Sequence, residues 1–532
     1  MILFNKNFND TIMKRIKYII SLIVLVTTII SCSKLNLSPL DYYGSTSFWN
    51  NEAQVKGFIY GIHSQLRGAY QYYFLMGEAR GGLHKNGTST SNVSINYSSP
   101  IKNNALTSSN TGITGWGGFY TLILNVNLAI QKVQNECTFL SDASRGYYLG
   151  QLYGIRAYYY FWLYRTWGGV PIITEAKVMN GTNTAIALYT ARSTAKQTLD
   201  FIKSDITNSE TNFGTNVTIN DSKASWSKYA TLMLKGEVYL WSAKVSNDDQ
   251  TPVASDITTA ETAISQVISS NTFSLLPSFS NVFSTTNRGN NEIIFTLRFL
   301  NNESTNWGGD FTYSDNVFTG VVYSSAGKLM TDTLKLQNTG IQRHEYIWNL
   351  WTSFDATDTR KTATFLDFYL KKTDVTGGLV LRKFIGEINS TNARVYTNDI
   401  PVYRYSDALL LMAEIQNKKG SDPSSYINQV RARAYGSNYN AAVQGYTNST
   451  YAANELAILF ERDKEFVCEN SRWFDVIRMQ DATGKPLVFS TAVTYGATSP
   501  ILNPATDTYK LMWPVDVTTL SNDPLVKQTT GY

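Results

Sequence analysis

The residues able to do bond-making chemistry are few. His63, His84 and His344 are the only imidazoles in the chain, and no two of them stand at metal-ligand spacing, which argues against a zinc hydrolase. No G-x-S-x-G elbow, phosphate-binding P-loop or dinucleotide fingerprint is present. A pair of carboxylates could still cleave a glycosidic bond, because sequence does not show which acids face each other. The densest acidic run is Glu461-Arg462-Asp463-Lys464-Glu465, followed by Glu469 and Arg472. Its charges alternate in sign at helical spacing, the pattern of i,i+3 and i,i+4 pairs that support a helix. The expectation is a non-catalytic protein with no cofactor and no metal.

Aromatic recognition chemistry is better represented. Trp116 lies in Gly115-Trp116-Gly117-Gly118, and Trp307 in Asn306-Trp307-Gly308-Gly309-Asp310-Phe311-Thr312-Tyr313. An indole flanked by glycines belongs to an exposed loop more naturally than to a packed helix, and there it offers a flat apolar face beside polar neighbours. Trp348 and Trp351, three apart beside Ile347 and Leu350, read instead as core.

Composition narrows the class. The 532 residues are 43% hydrophobic, 13% aromatic and only 16% charged, which excludes an acidic or disordered chain. The formal charge of +5 is slight and scattered, so nucleic acid is not an expected partner. Lys14, Arg15 and Lys17 precede an apolar run from Tyr18 to Ile30, the pattern of a secretory signal starting naturally at Met13. Thr28-Ile29-Ile30-Ser31-Cys32 resembles a bacterial lipobox, which makes Cys32 the lipidated first residue of the mature chain. Loss of residues 1–31 lowers the charge to +2. Cys137 and Cys468 remain, too few for a disulfide framework, and read as small buried residues.

The elements that must position these groups read as helices. Phe119 to Val133, Tyr147 to Trp167, Ala195 to Ile206, Trp226 to Val245, Ile257 to Ile268, Val402 to Gln416, Tyr426 to Ala434 and Asn454 to Met479 carry helical periodicity or helix punctuation. Short helices joined by tight turns predict a mainly α, tetratricopeptide-like repeat scaffold with long irregular loops and a few short strands. An Asn-, Thr-, Ser- and Gly-rich insert runs from about 275 to 400, with a strand pair expected around Glu292 to Arg298.

Several segments together resemble the SusD/RagB family of outer-membrane nutrient-binding lipoproteins. They are Arg156-Ala157-Tyr158-Tyr159-Tyr160-Phe161-Trp162-Leu163 with Trp167-Gly168-Gly169-Val170-Pro171-Ile172, then Tyr403-Arg404-Tyr405-Ser406-Asp407 through Ala413-Glu414. Glu461-Arg462 through Arg472-Trp473-Phe474-Asp475 and the close Asp523-Pro524-Leu525-Val526-Lys527-Gln528 with Gly531-Tyr532 complete the set. Asp523 and Thr529 depart from the two asparagines of the family's closing pattern.

The resemblance implies one such domain over residues 32–532, whose ligand-binding insert is the 275–400 segment. It further implies capture of a glycan at the cell surface and delivery to a TonB-dependent, SusC-like transporter, the membrane being reached through the lipid on Cys32. Outward exposure rests on the resemblance, because Ser33-Lys34-Leu35-Asn36 lacks the acidic residues that often follow the lipidated cysteine. A peptide-binding or purely protein-interacting helical-repeat lipoprotein is the alternative. Ligand contacts are implied in the loops before the repeat helices and in the insert, which points to Arg80, Trp116, Trp307 and Tyr313. Asp407 and Glu414 are expected to hold neighbouring helices.

Overall fold

Apolar residues at helical spacing carry most of the chain through helices that pack against their neighbours in sequence. In the computed structural model the described residues are 13, 48–88, 98–113, 115–182, 184–312, 320–336 and 342–532. Cys32, the signal segment and Tyr313 therefore lie outside them. The helices that matter here are α1 (Glu52–Gly68), α2 (Tyr70–Gly77), α3 (Gly117–Asn135), α4 (Asp142–Trp167), α5 (Ala195–Phe213), α6 (Lys228–Lys244) and α7 (Asp256–Ser269). A short helix α8 (Trp348–Ser353) lies in the insert. Beyond it come α9 (Tyr405–Lys418), α10 (Ser424–Tyr435), α11 (Tyr451–Glu465) and α12 (Arg472–Arg478).

Helix α4 is the hub. The Ser141 hydroxyl caps it by accepting from the Ser144 N–H, and every residue from Tyr148 to Trp167 is buried. It packs on α3 and α5, while α6 packs on α7 and α7 on α9. The α6–α7 approach is close because Gly236 has no side chain: a Cβ there would lie 2.3 Å from Ile264 Cδ1. This is the helical-repeat scaffold read from the sequence. Both Cys137 and Cys468 are buried free thiols. Among the described residues no helix is long and apolar enough to cross a membrane.

Helix α4 begins at Asp142 rather than Tyr147 and α5 runs on to Phe213 rather than Ile206, and three further differences from the sequence reading bear on the site. The helix assigned from Val402 starts at Tyr405, because residues before it form strand β8 (Ile400–Arg404). That strand pairs antiparallel with β2 (Ile293–Leu297), so the strand expected near Glu292 finds a partner a hundred residues away rather than a local one. The single helix assigned from Asn454 to Met479 is broken into α11 and α12, since Cys468 and Asn470 adopt positive φ between them. Helices α1 and α2 were not expected at all. The other short strands are β1 (His84–Lys85) with β3 (Glu345–Tyr346), β4 (Phe365–Phe368) with β5 (Gly378–Leu381), and β6 (Glu387–Ile388) with β7 (Arg394–Val395).

The charges of α11 are structural, but not as pairs along a solvated helix. Glu461, Arg462, Asp463 and Glu465 are all buried and reach other segments. Glu465 accepts from Arg360 at 3.0 Å and from Arg404 and Arg433, and Glu292 accepts from Arg404 at 2.9 Å and Arg433 at 2.7 Å. Arg462 bridges Asp407 and Asp475, and Glu414 joins Lys244 to Arg478. Asp407 and Glu414 thus hold neighbouring helices. Burial alone would raise the Glu465 pKa, but the guanidiniums of Arg433, Arg404 and Arg360 outweigh it and hold the carboxylate well below its ordinary range. The cluster fastens the start of β2, the end of β8 and the insert onto α10 and α11.

Candidate ligand-binding groove

Helix α1 supplies the floor of a groove. Its apolar residues Val55, Ile59, Ile62 and Leu66 are buried at i, i+4, i+7 and i+11. The adjoining face therefore presents Tyr60, His63, Ser64 and Arg67 in a line. His63 is fixed on this face: its Nδ1 lies 2.9 Å from the Ile59 carbonyl, and its Nε2 accepts from the Trp226 backbone N–H at 2.9 Å. Burial lowers its pKa, so the imidazole is neutral and wholly occupied in these two bonds.

The opposite wall is the chain leaving β2. Asp399 receives the Arg298 Nε at 2.9 Å and the Phe299 N–H at 3.2 Å, which pins the exit of the strand. Asn306 then ties the loop down three ways: its N–H donates to the Tyr396 carbonyl, its amide to the Asn398 carbonyl, and its Oδ1 accepts from the Gly308 N–H. Gly308 is required here, since a Cβ would sit 2.2 Å from Tyr396 Cδ1. Trp307 is held between these two anchored residues.

Floor and wall enclose two adjoining cavities. One, of about 280 Å³, is lined by Ser64, Arg67, Gln71, Phe299, Thr305 and Trp307 among others. The second, of about 150 Å³, shares Ser64 and Arg67 with it and extends to Tyr60, Asp221, Arg298 and Glu303. Arg67 donates to Glu303 Oε1 at 2.7 Å, to the Arg298 carbonyl at 3.1 Å and to Ser64 Oγ at 3.1 Å. Trp307 is half-buried. Among the described residues it alone of the eleven tryptophans has no ring–ring contact, no cation over its face and no hydrogen bond to its indole N–H. The hydroxyls of Ser304 and Thr305 beside it are likewise without a hydrogen bond among the described residues.

The other expected contacts are placed differently. Arg80 is fully buried: its Nε donates to Asn104 Oδ1 at 2.7 Å, its Nη2 to the Lys510 carbonyl at 2.6 Å, and its guanidinium stacks 4.0 Å from the Trp473 ring. Burial lowers its pKa to about 10. It is a core partner rather than a surface donor to ligand. Trp116 is also buried, at 5% exposure, with its ring edge-on to Trp167 at 5.7 Å. The glycines beside it open helix α3 instead of an exposed loop. Its edge lines a separate cavity of about 450 Å³, shared with Tyr120, Leu124, Pro171, Leu188 and Val526. Trp348 and Trp351, expected in the core, are half-buried with ring centroids 6.2 Å apart. His84 and His344, distant in sequence, meet at 6.2 Å, yet no cluster of three or more metal-ligating side chains occurs among the described residues.

Trp307, singled out by its glycines, lies in the lining of the larger cavity, whereas the sequence reading does not single out Tyr60, Ser64, Arg67 or Glu303 beside it. The apolar spacing from Val55 to Leu66 was the available signal, obscured by Gly57 and Gly61 inside the helix.

Known proteins resemble both halves of this architecture. Residues 83–240 match the family model described as starch-binding associating with outer membrane, and residues 371–532 match the SusD family model. A solved SusD superfamily protein of Bacteroides fragilis is 39% identical, covers 91% of this chain and all of its own, and superposes with a TM-score of 0.85. The SusD-like protein P38 of Formosa agariphila is 26% identical over 559 residues, spanning 98% of this chain and 100% of its own. Surface glycan-binding protein A of Bacteroides thetaiotaomicron, solved with laminarihexaose, shares the fold at a TM-score of 0.67 and 20% identity, over 90% of this chain and 99% of its own. With the helical-repeat fold and the near-complete match to a 39% identical member in hand, the chain belongs to the SusD family.

Proposed function

We propose that this protein is a non-catalytic, outer-membrane-associated glycan-binding subunit that captures an oligo- or polysaccharide in the Trp307 groove and passes it to a TonB-dependent transporter. The observation that carries the reading is the unspent indole of Trp307 beside the unspent hydroxyls of Ser304 and Thr305. A pyranose offers a C–H face for stacking and hydroxyls for such polar atoms, and needs no reactive group. Glu303 and Asp221, the two carboxylates of the lining, are occupied as acceptors for Arg67 and for Ser225 and Tyr60, a use suited to shaping the wall rather than to proton transfer. The glycan-bound fold neighbour and the starch-binding description of the matched model support the same ligand class. Lipidation at Cys32 would hold the protein on the membrane, because several acyl chains anchor where one does not. A neutral-glycan array should show binding, and release of reducing ends by the pure protein would overturn the non-catalytic reading.

A protein contact is favoured by a second observation. The 450 Å³ cavity beside Trp116 is lined by the exposed Val178, and exposed apolar residues adjoin its lining in sequence: Met179 after Val178, Leu525 before Val526, and Ile186, at 79% exposure, after Ala185. This surface suits the transporter partner. Ile186→Asp should abolish co-purification with the transporter while leaving glycan affinity intact; unchanged co-purification would remove this surface from the contact.

A further inference from the structure

We propose that the junction of α2, α4 and the α11–α12 turn is an internal water site, in which about two buried waters complete the hydrogen bonding of Tyr73, Arg165 and Asn470. These three residues, one from each element, line a single cavity of about 60 Å³ bordered by strand β8. Tyr73 Oη, Arg165 Nε and Asn470 Oδ1 are buried atoms with no hydrogen-bond partner among the described residues. Tyr73 is 1% exposed and Arg165 4%, so bulk solvent does not serve them. A buried polar atom left unmet is costly, and three around one cavity require an occupant that both donates and accepts. A water takes up about 30 Å³ in the liquid and makes about three hydrogen bonds when buried, which gives room here for about two.

The walls are held by contacts of their own. The Tyr73 ring lies against Trp162 with centroids 4.6 Å apart, and the Arg165 guanidinium sits 4.0 Å from the rings of both Phe161 and Phe474 while its Nη1 donates to Glu237. Asn470 adopts a φ of +66°, and its carbonyl presses on α2 at Gly77, where a Cβ would lie 2.1 Å away. The same turn brings the Cys468 and Ser471 N–H groups to the Glu78 carboxylate, each at 3.2 Å. The waters fasten the turn to α2 and α4 on its other side.

Charge excludes an ion as the occupant. The guanidiniums in the lining are already matched: Arg165 by Glu237, Arg404 by Glu469, and Arg462 by Asp407 and Asp475. An anion therefore finds four carboxylates and no unpaired cation. A cation would meet the Arg165 N–H, and the Trp162 indole N–H beside the Tyr158 hydroxyl borders the same space. Only a small neutral molecule with donors and acceptors suits both sets of groups.

The test reads this cavity in a high-resolution crystal structure of the protein, before and after a bromide soak, beside urea denaturation of the Tyr73→Phe variant. Ordered waters are expected within hydrogen-bond distance of Tyr73 Oη, Arg165 Nε and Asn470 Oδ1. Tyr73→Phe keeps the ring and removes one hydroxyl, so its sign is decisive. A hydroxyl bonded to water is lost at a cost and the denaturation midpoint falls, whereas removal of an unmet one relieves a buried polar atom and leaves the midpoint level or raised. The expected result is a lower midpoint. A dry cavity, an unchanged or raised midpoint, or bromide density at the site would overturn the proposal.

Discussion

Arg67 donates to the Glu303 carboxylate at 2.7 Å across 236 positions of sequence, joining the first long helix of the described chain to the loop that carries Trp307. This contact turns a helix face and a strand exit into one groove. Arg67→Met should loosen that wall. The expected result is weaker binding of neutral oligosaccharides with little change in melting temperature, because Glu303 is half-exposed and a surface pair of this kind is worth about 1 kcal/mol or less. Titration calorimetry with parallel thermal melts would check it.

Trp116 should behave oppositely to a ligand platform. Its buried ring packs on Trp167 and Tyr120, so Trp116→Ala should destabilise the fold by about 3 to 5 kcal/mol and leave affinity in the Trp307 groove unchanged in the folded fraction. Chemical denaturation alongside binding would separate the two effects.

Glu465 faces Arg360, Arg404 and Arg433 inside the protein, and Glu465→Gln leaves these guanidiniums short of a counter-charge. Breaking a buried ion cluster by removing one partner costs about 3 to 5 kcal/mol. The variant should unfold at markedly lower denaturant, and an unchanged midpoint would contradict the role assigned to the cluster.

Glu78 supplies a pH test. Its carboxyl is buried, and although the Tyr346 hydroxyl and the Cys468 N–H donate to it, burial raises its pKa to about 7 from the ordinary 4.5. The folded state therefore holds its proton where the unfolded chain has lost it. The resulting stabilisation is complete below pH 4.5 and is lost as pH rises toward 7, by about 3 kcal/mol at most. Glu78→Gln does not titrate, so its stability relative to the parent should improve steadily between pH 4.5 and 7 and level above. A constant difference across that range would contradict the assignment.

Much of the scaffold was legible because its signal is local. The aromatic run Tyr158 to Leu163, the Gly168-Gly169 stop and the Pro171 that follows each fix structure within a few residues. The β2–β8 pairing was not, since Ile293 and Arg404 meet only in the folded chain. The same holds for the buried partners of α11, whose alternating charges look alike whether they face water or three arginines. Of the candidate site, Trp307 could be singled out by its glycines, while Trp116, in the same kind of sequence, stands at the start of helix α3 with its ring buried. Glycine next to tryptophan marks permissive backbone and not exposure. Exposure is decided by what packs on the ring, and that is a tertiary property.

The most direct test of the account is the affinity of the Trp307→Ala variant, beside the parent, for a neutral glycan drawn from array binding, with laminarihexaose as the first probe. The Trp307 indole has no ring or hydrogen-bond partner among the described residues, so the melting temperature should stay put while affinity falls by about 1 to 3 kcal/mol, the worth of one stacking platform. An affinity equal to that of the parent would contradict the groove as the binding site.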